Sequence, residues 1–225
     1  MVADRPILFS GPLVRAILDG RKTVTRRPCK SSVVETADGH VVSPGPKGTR
    51  LVSSLPTPEE QHREMLSRCP YGEPGDRLWV RETHAVVGDP PTVAYRADLD
   101  ASALADEAEV RRIVGPGWTR WTPSIHMPRW ASRLTLRVTD VRVERLQDIT
   151  EDDARLEGAR RFPDLPGPDP YGSAPRWSMR SPSTTEECLG SARMAFANAW
   201  GKAYGPGSWA ANGWVWRVAF EVVRG

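Results

Sequence analysis

The chain has 225 residues, with 31 lysines and arginines against 28 acidic residues, four scattered histidines and three well-separated cysteines. A chain of this length can form one domain whose core needs no disulfide or metal. Because the number of cysteines is odd and they lie far apart, we expect reduced thiols in a cytoplasmic protein and neither a disulfide framework nor a zinc site. No segment approaches the ~20 apolar residues of a membrane helix, and residues 1–9 lack the pattern of a signal peptide, so we expect no membrane partner.

A short helix and two strands are predicted in the first half of the chain. The helix begins at Pro12, which suits a first helical position, and ends before Gly20, which suits the residue past the end. The β-branched residues that follow favour extended backbone. Residues 30–70 are rich in turn-forming residues and predict an insertion. Alternating apolar residues then predict strands over 77–82 and 92–96.

Three elements are predicted in the middle of the chain. A short helix is expected over 101–114. An alternating pattern predicts a strand over 133–145, with a bulge or bend at Asp140. The next helix begins at Thr150, whose hydroxyl can cap the first turn, and ends at Gly158.

The last third of the chain combines a loop, a helix and a strand. Residues 160–185 are rich in proline, glycine and serine and predict a second insertion. An apolar face predicts a helix over 186–200, and regular alternation predicts a strand over 214–223. Because regular strand–helix–strand repetition is absent, these elements predict a single α+β domain over 1–225 with a curved or barrel-like sheet.

A basic segment begins within the first predicted helix. It contains Arg15, Arg21, Lys22, Arg26, Arg27 and Lys30. Such a local excess of positive charge suits an anionic partner, although runs of charge also form ordinary solvated turns. Both interpretations stay open at this point.

Several blocks of the chain resemble the ASCH family, the small relatives of the PUA-like RNA-binding barrels. They read GRKTVTRR at 20–27, PGDRLWVRE at 74–82, VTDV at 138–141 and WVWRVAF at 214–220. The stretches PSIHMPRW at 123–130 and GPGSW at 205–209 are similar to the longer ASCH proteins often encoded in phages and prophages. The resemblance implies a PUA-like curved β-barrel with short flanking helices, and with long loop insertions at 30–70 and 160–185 that short members lack.

The resemblance also implies a catalytic site, because one branch of short ASCH proteins hydrolyses N4-acetylcytidine to cytidine and acetate. The lysine, threonine and glutamate of that branch fall on Lys22, Thr25 and Glu157. Amide hydrolysis needs an activated nucleophile, a proton for the departing amine and stabilisation of the oxyanion. Thr25 is then the nucleophile, Lys22 a base if burial and nearby cations lower its pKa, and Glu157 a group that holds or returns a proton.

The geometry of the basic segment sets a condition on that chemistry. In a regular strand, Lys22 and Thr25 point to opposite faces. They converge only if the turn between Gly20 and Thr23 is irregular. The alternative interpretation is structural: Lys22 forms an ion pair with Glu157, and Thr25 satisfies backbone groups at the turn.

Basic and aromatic residues are the candidate contacts to a ligand. Bases stack on tryptophan and arginine binds phosphate, so this composition suits single-stranded RNA or a flipped nucleotide. The candidates are Arg21, Arg26, Arg27, Trp118, Trp121, His126, Arg129 and Trp130. Nine tryptophans also need burial, so some of them are expected in the core. No cofactor or metal is expected, because His126 lacks ligand partners.

Three functions remain open from the sequence. A binding module for RNA or a modified nucleoside predicts salt-sensitive affinity that survives Thr25→Ala. An amidohydrolase predicts release of cytidine and free acid, abolished by Lys22→Ala and by Glu157→Ala. A phage accessory protein predicts neither activity, and a protein partner bound through the two insertions. The oligomeric state is not predicted.

Overall fold

The structure is a computed structural model that describes residues 2–29, 34–35, 41–45, 48–51, 68–163, 176–182 and 184–223. The strands in these ranges are β1 (Asp4–Leu8), β2 (Val24–Pro28), β3 (Val34–Glu35), β4 (Val41–Gly45), β5 (Gly48–Leu51), β6 (Arg77–Arg81), β7 (His84–Val87), β8 (Thr92–Tyr95), β9 (Thr135–Arg145), β10 (Arg160–Arg161), β11 (Trp177–Ser178) and β12 (Trp214–Val223). The helices are α1 (Gly11–Leu18), α2 (Ala101–Ala105), α3 (Glu107–Val114), α4 (Glu151–Leu156) and α5 (Ala192–Tyr204).

The central sheet has five strands in the order β1-β6-β9-β12-β2. β1 pairs with β6 in parallel, whereas the other three pairs are antiparallel. Smaller sheets are formed by β3-β4-β5, by β7-β8 and by β10-β11. The predicted α+β class is therefore confirmed. Within the described residues, β1 and β2 are edge strands that do not pair with each other, so the central sheet is open there.

The longest strand pair, β9 with β12, contains an irregularity. Ala219 faces Asp140 and Phe220 faces Val138, which leaves Thr139 of β9 as an extra residue. One extra residue in one strand of an antiparallel pair is a β-bulge. The bend predicted near Asp140 is therefore confirmed.

Strand β12 contributes to two hydrophobic cores. Val218 and Phe220 pack in the core that includes α1, whereas Val215 packs in the core with α4 and α5. Side chains alternate between the two faces of a strand, so β12 is buried on both. Arg217 shares the face of Val215 and is consequently buried despite its charge.

The two helices that flank the candidate site form as predicted. Pro12 lies in the first turn of α1, and Gly20 follows its end with φ at +73°. At the start of α4, Thr150 Oγ1 accepts a hydrogen bond from Asp153 N at 3.0 Å. Gly158 follows the end of α4 with φ at +109°.

The helix predicted over 186–200 was placed too early. It begins at Ala192, because Ser191 accepts a hydrogen bond from Met194 N through its hydroxyl, at 3.2 Å, and caps the first turn. It continues to Tyr204, four residues beyond the predicted end. The local cap therefore outweighed the apolar periodicity that suggested an earlier start.

The helix predicted over 101–114 is two helices. Asp106 ends α2 and caps α3 by accepting a hydrogen bond from Ala108 N at 2.8 Å. Most of the predicted insertion at 30–70 and half of the one at 160–185 fall outside the described residues. Across the described parts of the chain, no helix combines the length and apolar character needed to cross a membrane.

Candidate functional site

The turn after α1 directs Lys22 into the protein interior. The N–H groups of Arg21 and Lys22 both donate to Ala16 O, each at 2.9 Å, and Gly20 adopts a positive φ. β2 begins only at Val24, so Lys22 precedes the strand. This is the irregular turn on which the predicted convergence of the site depends.

The Lys22 ammonium group is fully enclosed by protein. Its Nζ donates to Glu157 Oε2 at 2.6 Å, to Val24 O at 2.6 Å and to Glu157 O at 3.0 Å. An ammonium group has three donors, so each has an acceptor inside the protein. The side chain has no exposed surface. The Lys22–Glu157 contact, which the ion-pair interpretation requires, is therefore present.

Glu157 is held at the junction of α4 and α1. Its N–H donates to Asp153 O at 2.8 Å as α4 ends, and Oε1 accepts from Arg26 Nη1 at 3.4 Å. A Cβ added at the next residue, Gly158, would lie 3.1 Å from the Ala16 Cβ. A glycine at this position therefore permits the close approach of the two helices that brings Glu157 to Lys22.

Arg26 links this pair to further carboxylates. Its Nε donates to Glu144 Oε1 at 2.7 Å and its Nη2 donates to Asp153 Oδ2 at 2.9 Å. Arg217 Nη2 donates to Asp153 Oδ1 at 3.0 Å. We refer to these six residues as the buried charge network: Lys22, Arg26, Glu144, Asp153, Glu157 and Arg217. Mutual pairing is what allows ions to remain in a buried environment.

Burial and pairing shift two pKa values in the network. Burial is the largest influence on Lys22 and lowers its pKa from 10.5, while the Glu157 carboxylate opposes the change and nearby arginines add to it. This is the direction that the role of Lys22 as a base requires, with burial as a larger cause than the cations. For Asp153, burial acts to raise the pKa, but Arg217 and Arg26 outweigh it and hold the pKa below 3.8.

A cavity of about 200 Å³ opens beside the buried charge network. Thr25, Arg26, Arg27 and Glu157 all line it. The structure thus places two of the three predicted catalytic residues at one cavity. Lys22 is not among the described residues that line it, and its hydrogen bonds do not include the Thr25 hydroxyl.

Aromatic residues of α5 line the same cavity. They are Phe196, Trp200 and Tyr204, spaced four residues apart on one face of the helix. The Trp200 and Tyr204 rings lie 4.3 Å apart between centroids, and Arg27 Nη1 donates to the Tyr204 hydroxyl at 3.4 Å. The predicted helix stopped at residue 200, so it included Phe196 and Trp200 but not Tyr204, and the set was not recognised as one face. The four-residue spacing was the available signal.

The predicted aromatic contacts lie elsewhere. None of the following residues lines the cavity: Trp118, Trp121, His126, Arg129 and Trp130. The Trp118 and Trp121 rings lie 5.8 Å apart and pack with α3 in a separate core. Trp130 is 64% exposed, and Arg129 Nε lies 3.1 Å from Asp4 Oδ2. The structure therefore places this segment outside the cavity: Trp118 and Trp121 pack in a separate core, and Trp130 lies on the surface.

Arg21 is also separate from the cavity lining. Its guanidinium group donates to Asp19 Oδ2 at 2.8 Å and to Gly158 O at 3.1 Å. The side chain therefore connects the residues that follow α1 and α4 and stabilises the junction of the two helices. Of the basic residues predicted as ligand contacts, Arg26 and Arg27 are the two that the structure places at the cavity.

Within the described residues, no group of three or more histidine, cysteine, aspartate or glutamate side chains is placed to hold a metal ion. The site thus consists of a cavity, the buried charge network beside it and an aromatic face of α5 that also lines it. Comparison of the chain with protein-family models, with curated proteins and with solved structures finds no match.

Proposed function

We propose that this chain is an ASCH-type protein, with a sheet of PUA-like descent, that binds a modified nucleoside or nucleotide and hydrolyses its N4-acyl amide. The observation that carries the proposal is the position of Thr25 and Glu157 at one cavity, with Lys22 bound to Glu157 behind it. These are the residue types that the resemblance assigns to chemistry. The GRKTVTRR block supports the proposal independently of the cavity.

The cavity offers a place for a planar base. Tyr204, which packs against the buried Trp200, is 39% exposed and presents aromatic surface, and aromatic side chains stack on any base. Arg27 lines the cavity close to them and adds positive charge. In the proposed complex, a base held against α5 presents its exocyclic amide to Thr25 and Glu157, which line the same cavity. The cavity therefore orients the substrate as well as enclosing it.

The residues support a balanced reaction sequence. Thr25 Oγ1 attacks the acyl carbon while its proton passes to the Lys22–Glu157 pair. The pair acts as one proton-holding unit, because a 2.6 Å hydrogen bond joins the two groups. The bond between the acyl carbon and N4 then breaks, and the proton moves from the pair to N4. Water hydrolyses the threonine ester, which releases the acid and restores the hydroxyl.

A matched pair of substitutions tests this proposal. The purified protein is incubated with a panel of N4-acylated cytidines, and free acid and cytidine are measured. Thr25→Val preserves the shape of the side chain but removes the hydroxyl, so it abolishes turnover. Thr25→Ser keeps a hydroxyl and retains turnover. Absence of turnover by the wild-type protein across the panel rejects the hydrolase, provided that circular dichroism reports a folded protein.

A second candidate function, a binding module without chemistry, is favoured by the enclosure of Lys22. Its three donors all have acceptors within the protein, which is the arrangement of a structural ion pair. This candidate predicts ligand binding without acid release. It also predicts that Thr25→Val leaves affinity unchanged and that affinity falls as salt is raised.

A further inference from the structure

The cavity carries an excess of positive charge. Among the described residues that line it, four are basic (Arg26, Arg27, Arg180 and Lys202) and one is acidic (Glu157). Arg26 and Glu157 already have charged partners in the buried charge network. Within the described residues, Arg27, Arg180 and Lys202 form no salt bridge to a carboxylate. The cavity therefore favours an anion that its own residues do not supply.

Two of these free cations stand where two cavities adjoin. A second cavity, of about 310 Å³, shares Met179, Arg180, Ala199 and Lys202 with the first. Arg180 follows β11, and Lys202 lies in the last turn of α5, so the two cations come from different elements.

We infer that the boundary between the two cavities is a phosphate subsite formed by Arg180 and Lys202, and that the ligand is a nucleotide rather than a free nucleoside. A guanidinium group and an ammonium group are the side chains best suited to phosphate oxygens. The base lies in the first cavity against α5, the phosphate lies at the boundary, and the second cavity receives what continues beyond the phosphate. The position of the base rests on the proposed function, whereas the phosphate subsite rests on the charges alone.

The test measures binding with and without the phosphate. Isothermal titration calorimetry on the Thr25→Val protein, which prevents turnover, gives dissociation constants for cytidine, cytidine 5′-monophosphate, N4-acetylcytidine and its 5′-monophosphate. Each phosphate is expected to strengthen binding by about tenfold to a hundredfold, the range for hydrogen bonds to charged groups. Arg180→Gln and Lys202→Gln are each expected to remove most of that preference.

A matched control removes the same charge away from the cavities. Arg111, on α3, is exposed and lines neither of them. Arg111→Gln is expected to keep the full phosphate preference. Equal affinity for nucleoside and monophosphate, or loss of the preference in Arg111→Gln, overturns the inference. Absence of binding by all four compounds overturns it as well.

The same experiment separates the inference from the proposed function. Phosphate preference without acid release from acylated cytidines in the wild type supports the subsite and rejects the hydrolase. Acid release without phosphate preference supports the hydrolase and rejects the subsite. A five-nucleotide single strand containing N4-acetylcytidine identifies the source of the phosphate: tighter binding than the monophosphate indicates a strand, and weaker binding indicates a free nucleotide.

Discussion

Lys22 and Glu157 lie 135 positions apart in the chain, yet a hydrogen bond of 2.6 Å joins Nζ of the first to Oε2 of the second. Each residue lies just after a helix, α1 or α4, and close to a glycine with positive φ, Gly20 or Gly158. The two helix ends thus converge on one buried ion pair. Stability and chemistry at this site are consequently linked.

Breaking this pair from one side should cost much of the stability of the protein. We expect Lys22→Met to lower the free energy of unfolding by about 3–5 kcal/mol, because Glu157 is left buried without its closest cation. Adding Glu157→Met should restore part of the loss, since apolar residues of similar volume often replace a buried pair without penalty. Urea denaturation measures the coupling energy between the two residues when it is applied to the wild type, both single variants and the double variant. If the losses in the free energy of unfolding were strictly additive, the two residues would not be coupled.

The close approach of α4 to α1 makes a second prediction. Gly158→Ala introduces a Cβ 3.1 Å from the Ala16 Cβ at a positive φ, so it should lower the free energy of unfolding by about 1–3 kcal/mol and displace Glu157. Gly115→Ala is the matched control, because Gly115 also has a positive φ, +118°, but no atom lies within 4 Å of an added Cβ. Urea denaturation should give a smaller loss for the control. Equal losses in the two variants would mean that helix approach does not require glycine.

Local signals in the sequence were sufficient for the elements that hold this pair. The proline and glycine that bound α1 and the threonine that caps α4 act within a few residues, and the structure agrees with them. The extra residue Thr139 was also signalled by an interruption of alternation next to it. Local steric and hydrogen-bonding preferences were therefore sufficient to predict these elements of the fold.

The composition of the cavity was not accessible in the same way. Tyr204 and Lys202 lie beyond the predicted end of the last helix, and Arg180 lies within the insertion predicted over 160–185, so no local pattern marked these residues as neighbours of Thr25. Conversely, Trp130 and Trp118 have the composition of a binding surface but pack or point elsewhere. Which side chains share a cavity depends on the packing of distant elements, and periodicity does not report it.

Asp153 should make stability sensitive to acid. Its folded pKa lies below 3.8 because Arg217 and Arg26 outweigh the opposite effect of burial. Asp153 therefore contributes its full stabilisation above pH 3.8, the ordinary pKa of an aspartate. This contribution is lost as the pH falls through the lower pKa of the folded protein, because the unfolded chain binds the proton first. Asp153→Asn should be less stable than the wild type at pH 6, and urea denaturation should show the difference shrinking toward about pH 3.

A neighbouring acidic residue provides the control for this prediction. Asp152 has a side chain that is 84% exposed and pairs with Arg155 on the helix surface. Asp152→Asn should change the free energy of unfolding by less than about 1 kcal/mol, as expected for an exposed pair. If the free energies of unfolding of Asp153→Asn and the wild type differed by the same amount from pH 6 to about pH 3, the lowered pKa would not belong to Asp153.

The cysteines next to the main core should make stability sensitive to alkali. Burial raises the pKa of Cys29 to about 12 and that of Cys69 to about 11, both from 9.0. Above pH 9 the unfolded chain loses these protons first, so stability should fall as pH rises toward the folded values. Urea denaturation from about pH 8 to about pH 10.5 should show that the free energy of unfolding declines less steeply in the double variant Cys29→Ala/Cys69→Ala than in the wild type. Identical slopes would locate the alkaline loss in other groups.

The aromatic face of α5, rather than the tryptophan-rich segment, should govern ligand affinity. Tyr204 lines the cavity and is 39% exposed, so Tyr204→Ala should weaken nucleotide binding by about 1–3 kcal/mol, or roughly 5- to 150-fold, the range for one stacked base. Tyr204→Phe keeps the ring and should retain most of the affinity. Trp130→Ala removes a larger and more exposed ring outside the cavity and should change affinity by less than about twofold. Calorimetric titration of both alanine variants decides between the two surfaces, because only Tyr204 lines the cavity. A large loss of nucleotide affinity in Trp130→Ala with none in Tyr204→Ala would place the ligand on the tryptophan-rich segment.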